Sequence, residues 1–226
     1  MTAEDPALGF VSPFEQEDYA QCSAFLDALS GGTDAEALSR SLPALRQEFR
    51  TKLRDAGAGA DVALQYLIHC GDAGAEFLLE WLAEEEDRRT RSRIVGFAEK
   101  LNRDSVLRAI EKRLSDPRWF VVRNMVTIAG RLEIPNAVSF MERALEGGDV
   151  RVAKEVIKVL FKSVSEKNAP VVLTLLHHPD KSVRLQALRL VMLFGLDKGE
   201  AVSALQKLAS ADPVPEVRTL ASSILG

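Results

Sequence analysis

Two stretches of this chain, offset by 34 residues, constrain its fold more than any other feature. "HPDKSVRLQALRLVMLFG" (178–195) aligns with "DPVPEVRTLASSILG" (212–226): Pro179 falls on Pro213, Val183-Arg184 on Val217-Arg218, and Ala187 on Ala221. "DPRWFVVRNMVTIAG" (116–130) joins them through Val122-Arg123, with one more residue ahead of that pair. Two weaker copies are "GGDVRVAKEVIKVL" (147–160) and "EDRRTRSRIVGFAEKL" (86–101). In the first of these, Val152, Val156, Ile157 and Leu160 have helical spacing, which sets the register on Val152 and not on Val150-Arg151. Recurrence at intervals of roughly thirty residues is the mark of stacked copies of one supersecondary unit.

An amphipathic segment precedes each copy: 74–85, 104–115, 135–146, 168–177 and 199–210. Their apolar residues recur at i, i+3, i+4 and i+7, so the unit is helix, tight turn, helix. Proline in the turn ends the first helix, because it supplies no N–H and restricts the residue before it. Asp116, Asp149, Asp180 and Asp212 stand where a carboxylate can cap the second helix and meet its dipole. One such hairpin cannot bury its own apolar face, so several must stack.

The pattern resembles the HEAT-repeat family, including its short bacterial forms, over five units in residues 73–226. The resemblance implies an all-α superhelix, a solenoid whose second helices line the concave side, and a non-catalytic scaffold that binds another macromolecule. It also implies a ladder between neighbouring repeats, built from an acidic turn residue and an arginine early in the second helix. The matching residues are Asp116, Asp180 and Asp212 with Arg123, Arg184 and Arg218; Ala153 stands at the arginine position of the third unit and would interrupt the ladder.

Residues 1–72 are less regular and acidic. Segments 13–32, 33–57 and 60–71 read as three or four helices divided at Gly31-Gly32, Pro43 and "GAGA" (57–60), forming an irregular cap or decayed repeats packed continuously with 73–226. At the other end the chain stops at "SSILG". The expectations there are a water-tolerant last helix, self-association through an uncapped repeat, or a longer natural chain beyond Gly226. Charge is distributed unevenly: 1–87 holds five basic and eighteen acidic residues, 88–131 twelve basic and four acidic, although the whole chain carries only −4. The basic belt either forms a solvated face or steers an acidic partner. The start lacks the basic and apolar regions of a secretory leader, and no run is long and apolar enough to span a bilayer. With two cysteines, Cys22 and Cys70, reading as buried fillers, a cytoplasmic location without membrane contact is expected.

Catalytic and metal motifs are sparse. The three histidines, His69, His177 and His178, have no acidic or sulfur ligands at recurring spacing, so no metal or other cofactor is expected. HEAT-like deoxyhypusine hydroxylases take iron on His-Glu dipeptides, which this chain lacks. Phosphate-loop and dinucleotide fingerprints are likewise missing. HEAT-like alkylpurine DNA glycosylases hold DNA with Trp, Asp and Arg side chains; Trp119, Asp116 and Arg123 match in type but lie in no shared local motif, leaving DNA binding or repair through the belt as the alternative function. The favoured partner is a protein, acidic in character. Candidate contacts are Arg93, Arg123, Lys154, Lys158, Arg184 and Arg189, polar positions on second helices. Arg118, Trp119 and Phe120 join them as the triplet absent from the sister repeats, with Trp119 and Phe120 also suited to filling a seam between repeats.

Overall fold

The chain forms helix after helix in a computed structural model that describes residues 8–29, 32–55, 57–132, 137–162, 166–196, 199 and 201–226; no strand occurs among them. Gly31, Pro135 and Glu200, which the sequence places at helix boundaries, lie outside the described residues. The helices gather into two compact units, one ending at Lys112 and the other beginning at Arg113.

The first unit contains α1 (Leu8–Glu15), α2 (Tyr19–Asp27), α3 (Gly32–Arg54), α4 (Ala58–His69), α5 (Asp72–Glu84), α6 (Arg88–Ala98) and α7 (Arg103–Glu111). The segment expected as one helix over 13–32 is divided, because Glu17 takes a left-handed φ of 57° and turns the chain between α1 and α2. The expected break at Pro43 is absent: α3 runs for 23 residues straight through it. A proline inside a helix forfeits one backbone hydrogen bond, but Leu38, Leu42, Leu45, Phe49 and Leu53 form a buried stripe on both sides of it. That continuous apolar contact outweighs the lost bond.

Aromatic residues centre this unit. The rings of Phe10 and Tyr66 lie 4.5 Å apart, and those of Phe14 and Phe49 and of Phe49 and Tyr66 each lie 5.1 Å apart. The buried Tyr66 hydroxyl donates to the Leu38 carbonyl at 2.9 Å, so its polar atom is satisfied. Cys22 and Cys70 are free and buried, and burial pushes their thiols up to about 11 and about 12. Both stay protonated and inert.

The second unit contains α8 (Trp119–Arg131), α9 (Ala137–Leu145), α10 (Val150–Lys162), α11 (Ala169–Leu176), α12 (Lys181–Phe194), α13 (Val202–Ala211) and α14 (Pro215–Leu225). Helices α9 and α10, α11 and α12, and α13 and α14 pair as hairpins; α9 packs on α11, while α8, α10, α12 and α14 pack in succession. Each second helix begins at an aspartate whose carboxylate accepts the N–H two residues on. The bonds are Arg118 to Asp116 (2.8 Å), Arg151 to Asp149 (2.8 Å), Ser182 to Asp180 (2.8 Å) and Val214 to Asp212 (2.9 Å). Asp180 is itself the N-cap residue of its long helix and also accepts from a second N–H, that of Val183.

Burial fixes the register. Val121, Val152 and Val183 stand 31 residues apart and are all buried, as are the residues one, four, five, seven and eight positions after each. The aligned residue of α8 is therefore Val121, not Val122, and the buried Val122 takes the place of Ala153 and Arg184. Arg123 moves one position outward and is only half-buried. This corrects the expected ladder. Arg184 bonds Asp212 of the next turn through Nε (2.7 Å) and Nη2 (3.0 Å), whereas Arg123 bonds its neighbour Asn124 at 3.0 Å. Asp116 and Asp149 are gripped by Arg118 and Arg151 of their own turns. The interruption expected at Ala153 is present, with Asp180 taking its hydrogen bonds from Ser182 and Val183.

Candidate functional site

The helical period leaves a fixed set of positions on α8, α10 and α12 outside the core. They lie two, six, nine and ten residues after the aligned valine, and on α10 and α12 also three after it, where α8 instead buries Asn124. Six after it stand Thr127, Lys158 and Arg189; nine after it stand Gly130, Phe161 and Met192. Phe161, Met192 and the adjoining Leu193 are 43%, 59% and 47% exposed, unusual for large apolar side chains on a packed helix layer. These three helices hold nine basic residues against one acid, Glu155. Glu155 is engaged by the Thr127 hydroxyl at 3.1 Å and by Lys158 at 3.0 Å.

The candidate contacts fall into three groups. Lys154, Lys158 and Arg189 are exposed on this face, with the half-buried Arg123 beside them. Arg184 is over nine-tenths buried and also donates to the His178 and Pro179 carbonyls at 2.9 and 2.7 Å. Its surface assignment is therefore corrected: Arg184 braces the repeat junction. Arg93 belongs to the first unit, where its guanidinium grips the carbonyls of Arg54 and Asp55 at the end of α3 and lies 5.9 Å over Phe97.

The basic belt is not one free stripe, because part of it interlocks with the acidic residues of α5. Arg46, Arg50 and Arg54, one helical turn apart on α3, pair with Glu80, Glu84 and Glu85. The same guanidinium groups lie over the Phe77 and Trp81 rings at 5.7 to 6.0 Å. From the other side Arg108 pairs with Asp72 and Lys112 with Glu76. Sequence reasoning missed this zipper although its signal was present: acids at 72, 76, 80 and 84 and bases at 46, 50 and 54 each repeat every four residues, forming single stripes on a helix.

Trp119 and Phe120 are half-buried, neither fully in the core nor free. The Arg151 guanidinium lies 3.7 Å over the Trp119 ring and Arg123 lies 5.6 Å from it; Arg118 covers Phe120 at 5.8 Å. Trp119 and Asp116 share a cleft of about 590 Å³ with Arg143, Glu146, Asp149 and Arg151. Trp119 thus neighbours Asp116 within the cleft and Arg123 at its ring. The Asp116 carboxylate is already occupied by Arg118, whose guanidinium beside it holds its pKa below the usual carboxylate range.

Among the described residues, no group of three or more His, Cys, Asp or Glu side chains could hold a metal ion, and no helix is long and apolar enough to cross a membrane. Paired helices stacked on aspartate-headed turns define an α-helical repeat. The family model for HEAT repeats matches residues 137–226, so this part of the chain is similar to the HEAT-repeat family. Such repeats generally mediate protein interactions and are usually non-catalytic. No curated protein matches the chain.

Proposed function

We propose that the protein is a non-catalytic cytoplasmic scaffold or adaptor that binds a protein partner on the outward face of α8, α10 and α12. The observation that carries this reading is the exposure of Phe161, Met192 and Leu193 on helices that also present Lys154, Lys158 and Arg189. An apolar patch rimmed by cations is the composition of a contact surface, where burial supplies affinity and charge supplies selection. Residues 1–72 act as the cap of the repeats, with α3 and α4 packed on α5.

The experiment is capture of partners from the native source by the full chain and by a K154E/K158E/R189E variant. A partner retained equally by both would remove this face from the proposal. The second reading, DNA binding, is favoured by the nine bases on three helices. It predicts duplex binding whose affinity falls steeply with salt; no duplex binding at low salt would exclude it.

A further inference from the structure

We infer that the partner segment is an acidic amphipathic α-helix laid across α10 and α12, an inference that rests on reading their outward face as a protein-binding surface. Lys158 and Arg189 occupy the same register in successive repeats, and Phe161 and Met192 follow each of them by three residues. The face therefore presents a cationic row and, beside it, an apolar row. Packed helices lie about 8–10 Å apart, and three residues advance about 4.5 Å along a helix axis. A complementary segment must place like side chains about 8–10 Å apart on one side, with a second kind of side chain next to them.

An α-helix meets that requirement. Its residues i and i+7 share a face and are about 10.5 Å apart. An extended chain returns to the same face after about 6.6 Å or about 13 Å, and so misses the spacing. The charge of the segment follows from the face it meets. Glu155 is already engaged, and Lys158 keeps its side chain 68% exposed despite pairing with it. The rest of the segment's contact side must be apolar, because Phe161, Met192 and Leu193 gain from burial and offer nothing to a phosphate backbone. The same apolar row argues against nucleic acid as the occupant.

The test is selection from a displayed library of random peptides about sixteen residues long, just over four helical turns, on the full chain. Binding of the enriched peptides to K158E/R189E and F161S/M192S variants is then measured by fluorescence anisotropy. Lys158, Phe161, Arg189 and Met192 are all exposed and none lies in the core, and circular dichroism checks that the variants keep their helix content. The expected result is enrichment of peptides with acidic and large apolar residues recurring every seven positions, each variant weakening them by at least about tenfold. Enrichment of peptides of other chemistry or spacing that still lose binding to both variants would overturn the acidic helix and leave the face as a protein-binding surface. Peptides that bind wild type and variants alike would overturn both readings. So would the absence of enrichment together with duplex DNA binding that K158E/R189E abolishes.

Discussion

Arg184 closes on Asp212 through two hydrogen bonds, 2.7 and 3.0 Å long, with both residues over nine-tenths buried. The pair ties α12 to the turn that starts α14. The remaining bonds make it a junction and not an isolated ion pair: Arg184 also holds the carbonyls of His178 and Pro179, and Asp212 accepts the Val214 N–H. Such a pair gives little net stability over an apolar replacement, yet removing one partner strands a buried charge.

Asp212→Ala is therefore expected to destabilise the chain by roughly 3–5 kcal/mol. An R184M/D212L double variant should cost less than the sum of its parts, as coupled partners do. Urea unfolding of the parent, Asp212→Ala, R184M, D212L and R184M/D212L checks this; a loss of under about 1 kcal/mol for Asp212→Ala would show that the junction carries little.

Acidification should weaken the same region through His178. This buried ring accepts the Asp180 N–H on Nδ1 at 3.0 Å, which requires Nδ1 to be unprotonated. Burial holds the His178 pKa below its ordinary 6.5. The unfolded chain thus binds a proton first as pH falls, and the folded state loses stability from about pH 6.5 downward until the folded ring titrates. Above that window His178 contributes no pH dependence. Urea midpoints at neutral and mildly acidic pH should fall less for His178→Gln than for the parent; equal slopes would refute the assignment. The aspartates at the turns act lower on the scale. Asp212 and Asp180 are depressed, so their contributions are complete above the ordinary carboxylate range and are lost as pH falls through their folded values.

The zipper between α3 and α5 makes a separate prediction. Arg50 has only 15% of its side chain exposed, pairs with Glu84 at 2.7 Å and lies 6.0 Å over Trp81. Arg50→Glu should lower the melting temperature by more than Arg46→Glu, whose side chain is 37% exposed. Swapping the pair, R50E/E84R, should recover part of the loss, because the Coulomb attraction returns while the stacking on Trp81 does not. No recovery on swapping would mean that stacking alone accounts for the effect.

The helices of the repeats were legible because a second helix that buries one stripe repeats its apolar spacing faithfully from Val152 to Val183. Arg184 and Asp212 could be matched to a ladder through the resemblance to HEAT repeats, whose acidic turn residue and early second-helix arginine they match. The register of α8 was not legible. Val121 and Val122 are adjacent and equally apolar, and only packing shows that both are buried, with Arg123 displaced outward. The continuity of α3 through Pro43 was hidden for a related reason, since local propensity argues for a break and only the contact stripe overrides it. Of the candidate surface, the cations were readable as polar positions on second helices. Phe161 and Met192 were not, because an apolar residue at a helix end reads as core until its exposure is known.

Three glycines test how tightly neighbouring helices are packed, and they should respond with opposite signs. Alanine is favoured over glycine inside a helix by about 1 kcal/mol, so a glycine with open space around it should gain stability on substitution. Gly96 on α6 is such a position, with nothing within 4 Å of a Cβ placed there. At Gly130 a Cβ would lie 2.5 Å from Val159 Cγ2 and 2.8 Å from Cγ1, because α8 and α10 approach closely there. At Gly74 it would lie 2.0 Å from the Leu67 carbonyl oxygen, backbone that cannot rotate away. Gly96→Ala should therefore raise the melting temperature. Gly130→Ala should lower it, since overpacking costs about 1–3 kcal/mol against the gain in propensity, and Gly74→Ala should lower it further. Adding Val159→Ala to Gly130→Ala makes room for the new methyl, so the double variant should lose less than the two single losses added together. Strict additivity would mean that the α8–α10 contact is looser than its geometry states.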